Sequence, residues 1–352
     1  MNDDHLAAYE YDLPRERIAQ FPLPVRSDAR LLVLHRQANR IDHFHVRDLP
    51  EILNSNDLLV FNNSRVIPAR LLGRRTNTGG RWEGLFLRRD SPSGIWEILS
   101  KTRGRLQPGE TITLTDRRAQ DGVRLEVVER TPDHNLLVRP LTNQSFLQVL
   151  QHHGRVPIPP YIRDGLTVDQ DAQTYQTVYA RHDGSVAAPT AGLHFTKQLL
   201  DQLKTAGIDR AEVTLHVGIG TFRPIEVTNL TEHKMHSEWA SLDESAAERI
   251  NDAAAGGGRR IAVGTTTVRT LETAAVGSNR IRAFAGDCDL FIRPGYQFSA
   301  VDGLLTNFHL PKSSLLVLVS AFAGRETIMQ AYHEAIAREY RFYSYGDAML
   351  IL

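Results

Sequence analysis

One cysteine, Cys288, stands among 352 residues. That scarcity excludes an intramolecular disulfide, a CxxC redox pair and any thiolate-rich metal centre. Long apolar runs are missing too: stretches such as Leu315–Phe322 fall far short of the ~20 residues that a spanning helix needs. The opening Met1-Asn2-Asp3-Asp4-His5 is acidic and polar, unlike a secretory signal or an organelle presequence, so a cytoplasmic protein is expected. No Walker loop, nucleophile elbow or paired-carboxylate motif occurs. His233-x-x-His236-x-Glu238 lacks HExxH and a third ligand at recognisable spacing, so no metal is expected. In His216–Pro224, Gly218 and Gly220 follow a strand, but Arg223 takes the place of a third glycine. A Rossmann fingerprint is thereby excluded.

What is present is an ordinary globular composition, 41% hydrophobic and 23% charged with net charge zero, at a length that favours two domains. The neutral total hides an asymmetry. From Arg65 to Arg155 there are 16 Lys and Arg against 9 Asp and Glu. A segment of about +7 on an otherwise acidic chain fits a polyanionic partner, although a solvated basic face is the commoner meaning of such a bias.

The same segment differs in pattern. Trp82–Arg88, Ile95–Leu99, Thr111–Thr115, Val123–Arg130 and Asn135–Arg139 are short β-rich runs separated by turn residues, the spacing of a small antiparallel barrel or sandwich. Ser145–His153 reads as a helix closed by Gly154. Outside the segment, strands (Arg30–His35, Asp57–Asn62, Arg210–His216, Arg260–Val263, Leu315–Ala321) alternate with helices (Val46–Leu53, Lys197–Gly207, Ser241–Ala255, Arg325–Tyr340), the signature of a sheet with parallel strands. Ser241 and Glu244 have capping-box spacing. The expected architecture is an α/β main domain, discontinuous over 1–65 and 156–352, with an antiparallel β-barrel-like domain inserted at 66–155.

Polar residues collect where open α/β sheets bind ligands, beyond strand ends. Gly184–Thr196 is a small-residue loop with hydroxyls and His194, leading into a helix capped by Thr196. Its amides suit an anion or polar ligand; a plain tight connection is the alternative. Gly264-Thr265-Thr266-Thr267-Val268-Arg269 reads as strand, hydroxyl-rich turn and helix. There Arg269 could pair with a carboxylate; hydroxyls that only cap the helix are the alternative. Asn307–Lys312 and Tyr343–Asp347 complete the set.

At these stretches the chain resembles the S-adenosylmethionine:tRNA ribosyltransferase-isomerase family of queuosine biosynthesis. The matches include Tyr11–Pro14, Leu59–Arg70, Gly154–Tyr161, Tyr175–Ala180, Gly184–Thr196, His216–Pro224, Met235–Glu238, Gly264–Glu272, Asp302–Ser314 and Tyr345–Met349, in family order across nearly the whole chain. Arg293 stands where an uncharged or aromatic residue is the habit, and Trp239-Ala240 where an aromatic pair is usual.

The resemblance implies transfer and isomerisation of the ribosyl moiety of S-adenosylmethionine onto 7-aminomethyl-7-deazaguanine at the tRNA wobble position. Epoxyqueuosine forms, and adenine and methionine are released. S-adenosylmethionine is then a consumed co-substrate, with no resident cofactor; tRNA is the partner, no membrane is involved and a monomer suffices. His194 and His216 are assigned acid/base work, with His309 and Asp347 orienting ribose or amine. Contacts to S-adenosylmethionine and the tRNA base are expected from Asn62, Arg65, Thr190, Ala191, Gly192, Gly218, Gly220, Thr221, Arg223, Thr265, Thr266, Arg269, Asn307, Lys312 and Tyr345. The tRNA backbone is assigned to Arg74, Arg75, Arg81, Arg103 and Arg105. The rival readings are a nucleoside or sugar transferase that never touches RNA, and a non-catalytic RNA-binding module.

Overall fold

The computed structural model describes residues 3–90, 92–218, 220, 225–275 and 280–352. Its main sheet has nine strands in the order Phe284–Cys288, Glu238–Leu242, Asp209–Leu215, Leu58–Asn62, Arg260–Val263, Gly303–Asn307, Ala348–Ile351, Arg30–His35 and Arg40–His45. The four consecutive strands from Asp209–Leu215 to Gly303–Asn307 run parallel, so their carboxyl ends share one edge. Successive residues serve opposite faces, as a doubly covered sheet requires. Leu58, Val60, Ala262 and Leu304 join one core, with helices Ser314–Ala323 and Arg325–Ala337. Leu59, Phe61, Ile261, Val263 and Leu305 join the other, with helix Lys197–Thr205.

The basic segment forms a closed antiparallel barrel. Strands Arg70–Arg75, Arg81–Arg89, Trp96–Thr102, Leu136–Pro140, Asp121–Arg130 and Thr111–Thr115 pair in that order. The ring shuts where Gly73, Arg74 and Arg75 meet Leu114, Thr113 and Ile112. Gly73 is needed at this seam because a Cβ there would overlap the Thr113 carbonyl. Closure removes free sheet edges, and Trp82, Phe86, Trp96, Ile98, Leu125 and Val138 fill the interior. Helix Phe146–His153 leads out of the barrel, with Ser145 and Gln148 forming a capping box. Gly154–Arg155 then pairs with Arg70 and Leu71. The chain enters through Ser64–Val66, which pairs with His182–Ser185.

Three expected elements differ. Leu315–Ala321 lies within an α-helix, Ser314–Ala323, capped by Ser313 and ended at Gly324 with φ 86°. The helix is apolar on nearly every side because Leu316, Val317, Leu318, Val319 and Phe322 are all buried, and such a run shows neither helical nor strand period. The helix expected from Ser241 begins at Glu244, and its cap is Asp243, which accepts from the Ala246 amide at 2.7 Å. Ser241 belongs to strand Glu238–Leu242. Helix Arg325–Ala337 ends three residues earlier than expected.

Candidate active site at the sheet edge

The parallel strands end at Leu215, Asn62, Val263 and Asn307. Buried Asn62 ties three of these ends together. Its amide nitrogen donates to the Leu215 carbonyl (3.0 Å) and to Thr266 Oγ1 (3.2 Å), while its oxygen accepts from the Leu215 and Ser64 amides at 3.1 Å. Both donors and both acceptor positions are thereby used, so Asn62, expected to contact substrate, ties its neighbours together.

Gly264, at φ 94°, turns strand Arg260–Val263 into helix Thr265–Ala274. The turn Thr190–His194 sits over it, with Ala191 against Gly264. At Gly192 a Cβ would overlap the Tyr179 hydroxyl, so only glycine lets the turn approach. Thr190 donates its hydroxyl proton to Asn307 Oδ1 at 2.9 Å, and Asn307 Nδ2 faces the Tyr343 carbonyl (3.1 Å) and His194 Nε2 (3.2 Å). A carbonyl only accepts, which fixes the Asn307 amide orientation, and its second proton goes to His194 Nε2. His194 is therefore the neutral tautomer with hydrogen on Nδ1. Burial lowers its pKa to about 4, helped by Arg341 and Arg26. The hollow beside it, lined by Arg26, Ser344 and Tyr345, holds about 20 Å³, roughly room for one water.

His216 stands elsewhere. It follows strand Asp209–Leu215 and lines an open cleft of about 760 Å³. The outer of the four strand ends lie three spacings apart, about 14 Å, and His216 and His194 line different hollows. Nδ1 of His216 is 2.7 Å from Ser64 Oγ, and its ring stacks on Trp239 with centroids 5.2 Å apart and planes at 19°. Burial lowers its pKa, with His182 adding to the effect and Asp183 opposing it. No hydrogen bond engages Nε2 among the described residues, so this nitrogen can exchange a proton with a substrate.

Arg269 is not available to a ligand carboxylate. It is buried, paired with Glu238, and donates to the carbonyls of Leu290 (3.1 Å) and Cys288 (2.8 Å). Glu238 in turn accepts from the Gly218 amide at 2.8 Å, which anchors the loop after His216. From sequence, Glu238 is weighed only as a metal ligand with His233 and His236, and its pairing with Arg269 has no local signal. Gly220 packs against His236. Thr221 and Arg223 lie outside the described residues.

His309 and Asp347, expected to orient ribose or amine, make hydrogen bonds within the fold. The His309 ring nitrogen is 2.9 Å from Thr306 Oγ1, its amide donates to the Tyr332 hydroxyl, and its carbonyl accepts from Tyr11. Burial depresses its pKa to about 3. Asp347 accepts from the Arg30 and Arg341 amides at 2.9 and 2.8 Å, with its pKa raised chiefly by burial. Tyr345 lines the small hollow, its hydroxyl 3.3 Å from Thr174 Oγ1. Lys312 pairs at the surface with Glu10. Arg65 is half-exposed and donates to the Ala180 carbonyl.

On the barrel, Arg81, Arg103 and Arg105 are exposed. Arg74 pairs with Asp121, and Arg75 is largely covered, paired with Glu110 and donating to the Arg103 carbonyl. Arg75 thus braces the barrel surface.

Two buried neutral histidines make stability depend on acid. His194 and His309 have folded pKa values near 4 and 3, below the ordinary 6.5. Between these values and 6.5 the unfolded chain binds protons that the native state refuses. Stability therefore falls as pH drops from about 6.5 towards 4, by roughly 2 kcal/mol per histidine at pH 5. The raised Asp347 works in the opposite sense over the carboxylate range. Urea unfolding from pH 8 to 5 should show the loss, and His309→Gln should flatten it.

The sequence profile described as "Queuosine biosynthesis protein" matches residues 6–351. The chain is 50% identical over 348 residues to the S-adenosylmethionine:tRNA ribosyltransferase-isomerase of Desulfitobacterium hafniense, with 99% of each chain covered. The chain belongs to this family. Another member of the ribosyltransferase-isomerase family, from Symbiobacterium thermophilum, is 51% identical with the same coverage. The crystal structure of the S-adenosylmethionine tRNA ribosyltransferase from Thermotoga maritima is similar at 35% identity and a TM-score of 0.56, covering 98% of this chain and all of that one.

Proposed function

We propose that the sheet edge described above transfers and isomerises the ribosyl moiety of S-adenosylmethionine onto 7-aminomethyl-7-deazaguanine at a tRNA wobble position, releasing adenine and methionine. The observation that carries this reading is the placement of His216. It is a neutral histidine lining an open cleft, next to the carboxyl edge of four parallel strands and next to the entry of a basic barrel. The sulfonium acidifies the neighbouring ribose carbon, so the site needs a base that is unprotonated near neutrality. His216 Nε2 meets that need. The first turn of helix Thr265–Ala274, entered through Gly264, supplies amides and partial positive charge for the methionine carboxylate, a role that Arg269 cannot take. His194, held by Asn307, acts as a neutral group that shapes the pocket.

On this reading S-adenosylmethionine is consumed and no resident cofactor is involved. One chain holds both sites, and the work is done in the cytoplasm, where tRNA is modified. Among the described residues no helix is long and apolar enough to cross a membrane. The exposed Arg81, Arg103 and Arg105, with Arg74, meet anticodon-stem phosphates, which position the RNA, while an unstacked base supplies specificity.

The test is adenine release, followed by chromatography and mass spectrometry, with S-adenosylmethionine and an anticodon stem-loop bearing the deazaguanine base. Adenine should appear only with that RNA, together with an RNA mass gain matching an epoxycyclopentanediol. Adenine without RNA would support nucleoside cleavage instead. Binding of the stem-loop should weaken with salt, log Kd rising with log salt at a slope of about 2–3 for three or four phosphate contacts. A flat salt response would remove the barrel from the interface.

A further inference from the structure

We propose that the cleft beside His216 seats an unstacked nucleobase of the RNA substrate, with the Trp239 indole as its stacking platform. The inference rests on the RNA-modifying reading above and names the surface that reads the base. Of three tryptophans, Trp82 and Trp96 are 2% exposed inside the barrel, whereas Trp239 is 46% exposed. It stands on a rigid mount, the second residue of strand Glu238–Leu242, a strand paired on one side with Phe284–Cys288 and on the other with Asp209–Leu215. Its carbonyl accepts the His216 amide at 2.9 Å. The His216 ring lies nearly parallel to the indole and covers one of its faces, so a base stacked on Trp239 takes the other face, in the cleft that both side chains line.

The charged groups lining the cleft favour a base over a bare phosphate. Arg181, Arg210 and Arg249 are offset by Asp183, Glu212 and Asp243. A phosphate pocket would be cationic, whereas carboxylates suit the N–H donors on the Watson–Crick edge of a guanine-type base and a cationic aminomethyl arm. Sequence-tolerant stacking on an aromatic face is how single-stranded RNA is held, and unstacked bases read on their edges supply specificity. The occupant is an RNA base and not the adenine of S-adenosylmethionine, because the cleft adjoins the barrel. Asn63 lines it, the next residues Ser64–Val66 enter the barrel, and Asp183 on its wall faces Arg65. A polymer lying along the barrel reaches this cleft without leaving the surface.

Trp239 is its own reporter, since the other two indoles are shielded. The wild-type chain should show saturable quenching of tryptophan emission on titration with the deazaguanine stem-loop. Much weaker quenching is expected with a stem-loop abasic at the wobble position, and none with S-adenosylmethionine alone. Trp239→Ala should weaken stem-loop binding, measured by anisotropy, about tenfold or more, and Trp239→Phe should restore most of it. Circular dichroism of each variant separates lost stacking from lost folding. Stem-loop binding without quenching, together with unchanged affinity of Trp239→Phe and Trp239→Ala, would overturn the proposal while leaving the RNA reading intact. Quenching by S-adenosylmethionine alone would assign the platform to adenine and also overturn it. Absence of any stem-loop binding by the wild type would remove both this inference and the reading beneath it.

Discussion

His216→Ala is expected to lower RNA-dependent adenine release by about 10²–10⁴-fold, the ordinary contribution of a positioned general base. Affinity for S-adenosylmethionine should change little, because the carboxylate site proposed at the helix entered at Gly264 does not include His216. His194→Ala should act differently. It removes the acceptor of an Asn307 proton and opens a small void, so its loss of rate should come with loss of thermal stability. The double variant should release no measurable adenine. The acid limb of the rate profile distinguishes the two histidines further. His216 titrates below the ordinary value, so activity should hold from neutrality down to below pH 6.5 and then fall as this ring takes a proton. Full activity in the His216→Ala protein would sink the assignment.

Arg269→Ala should destabilise the fold by about 3–5 kcal/mol, because it strands the Glu238 carboxylate in the interior without its counter-charge. The same change leaves the Leu290 and Cys288 carbonyls short of a donor. Replacing both partners, as in Glu238→Gln with Arg269→Met, should recover part of the stability, since two neutral groups carry a smaller desolvation cost than one lone charge. Activity should not recover with it, because the Gly218 amide loses the carboxylate that anchors it. Urea unfolding and adenine release measured on the same samples would show this split. An Arg269→Ala protein of wild-type stability with a raised KM for S-adenosylmethionine would instead return the arginine to ligand binding.

Local signals were legible wherever a residue's conformation is set by its neighbours in sequence. Thr196 caps helix Lys197–Thr205, accepting from the Leu199 amide, and Ser145 caps its own helix, both as their sequence spacing indicates. The barrel strands were readable because turns interrupt alternating runs, and Thr111–Thr115 has the expected limits. The fold class followed from that alternation, and the chemistry came from resemblance to a family. What sequence could not show was the pairing of distant polar groups. Nothing local says that Arg269 will spend its charge on Glu238, 31 positions away, or that Asn62 will use all its hydrogen-bonding capacity on Leu215, Ser64 and Thr266. Asn62 ends a strand and Arg269 lies in the helix that follows one, places where ligand contacts are the default expectation. Strand Ala348–Ile351 escaped for a related reason: four buried residues carry too short a pattern to reveal a partner hundreds of positions earlier.

That last strand also governs when the enzyme can come into being. Ala348–Ile351 pairs with Arg30–His35 on one side and with Gly303–Asn307 on the other, so the sheet stays split until the final described residues leave the ribosome. The barrel waits for nothing of the kind. Its six strands are complete at Pro140, and its entry and exit lie side by side where Leu71 meets Gly154. Co-translationally, the RNA-facing module can finish while the strand that carries it, Leu58–Asn62, still lacks both parallel neighbours, Asp209–Leu215 and Arg260–Val263. Contacts this distant in sequence form slowly. Ribosome-bound chains of about 160 exposed residues would therefore carry a finished barrel on an unmade catalytic sheet.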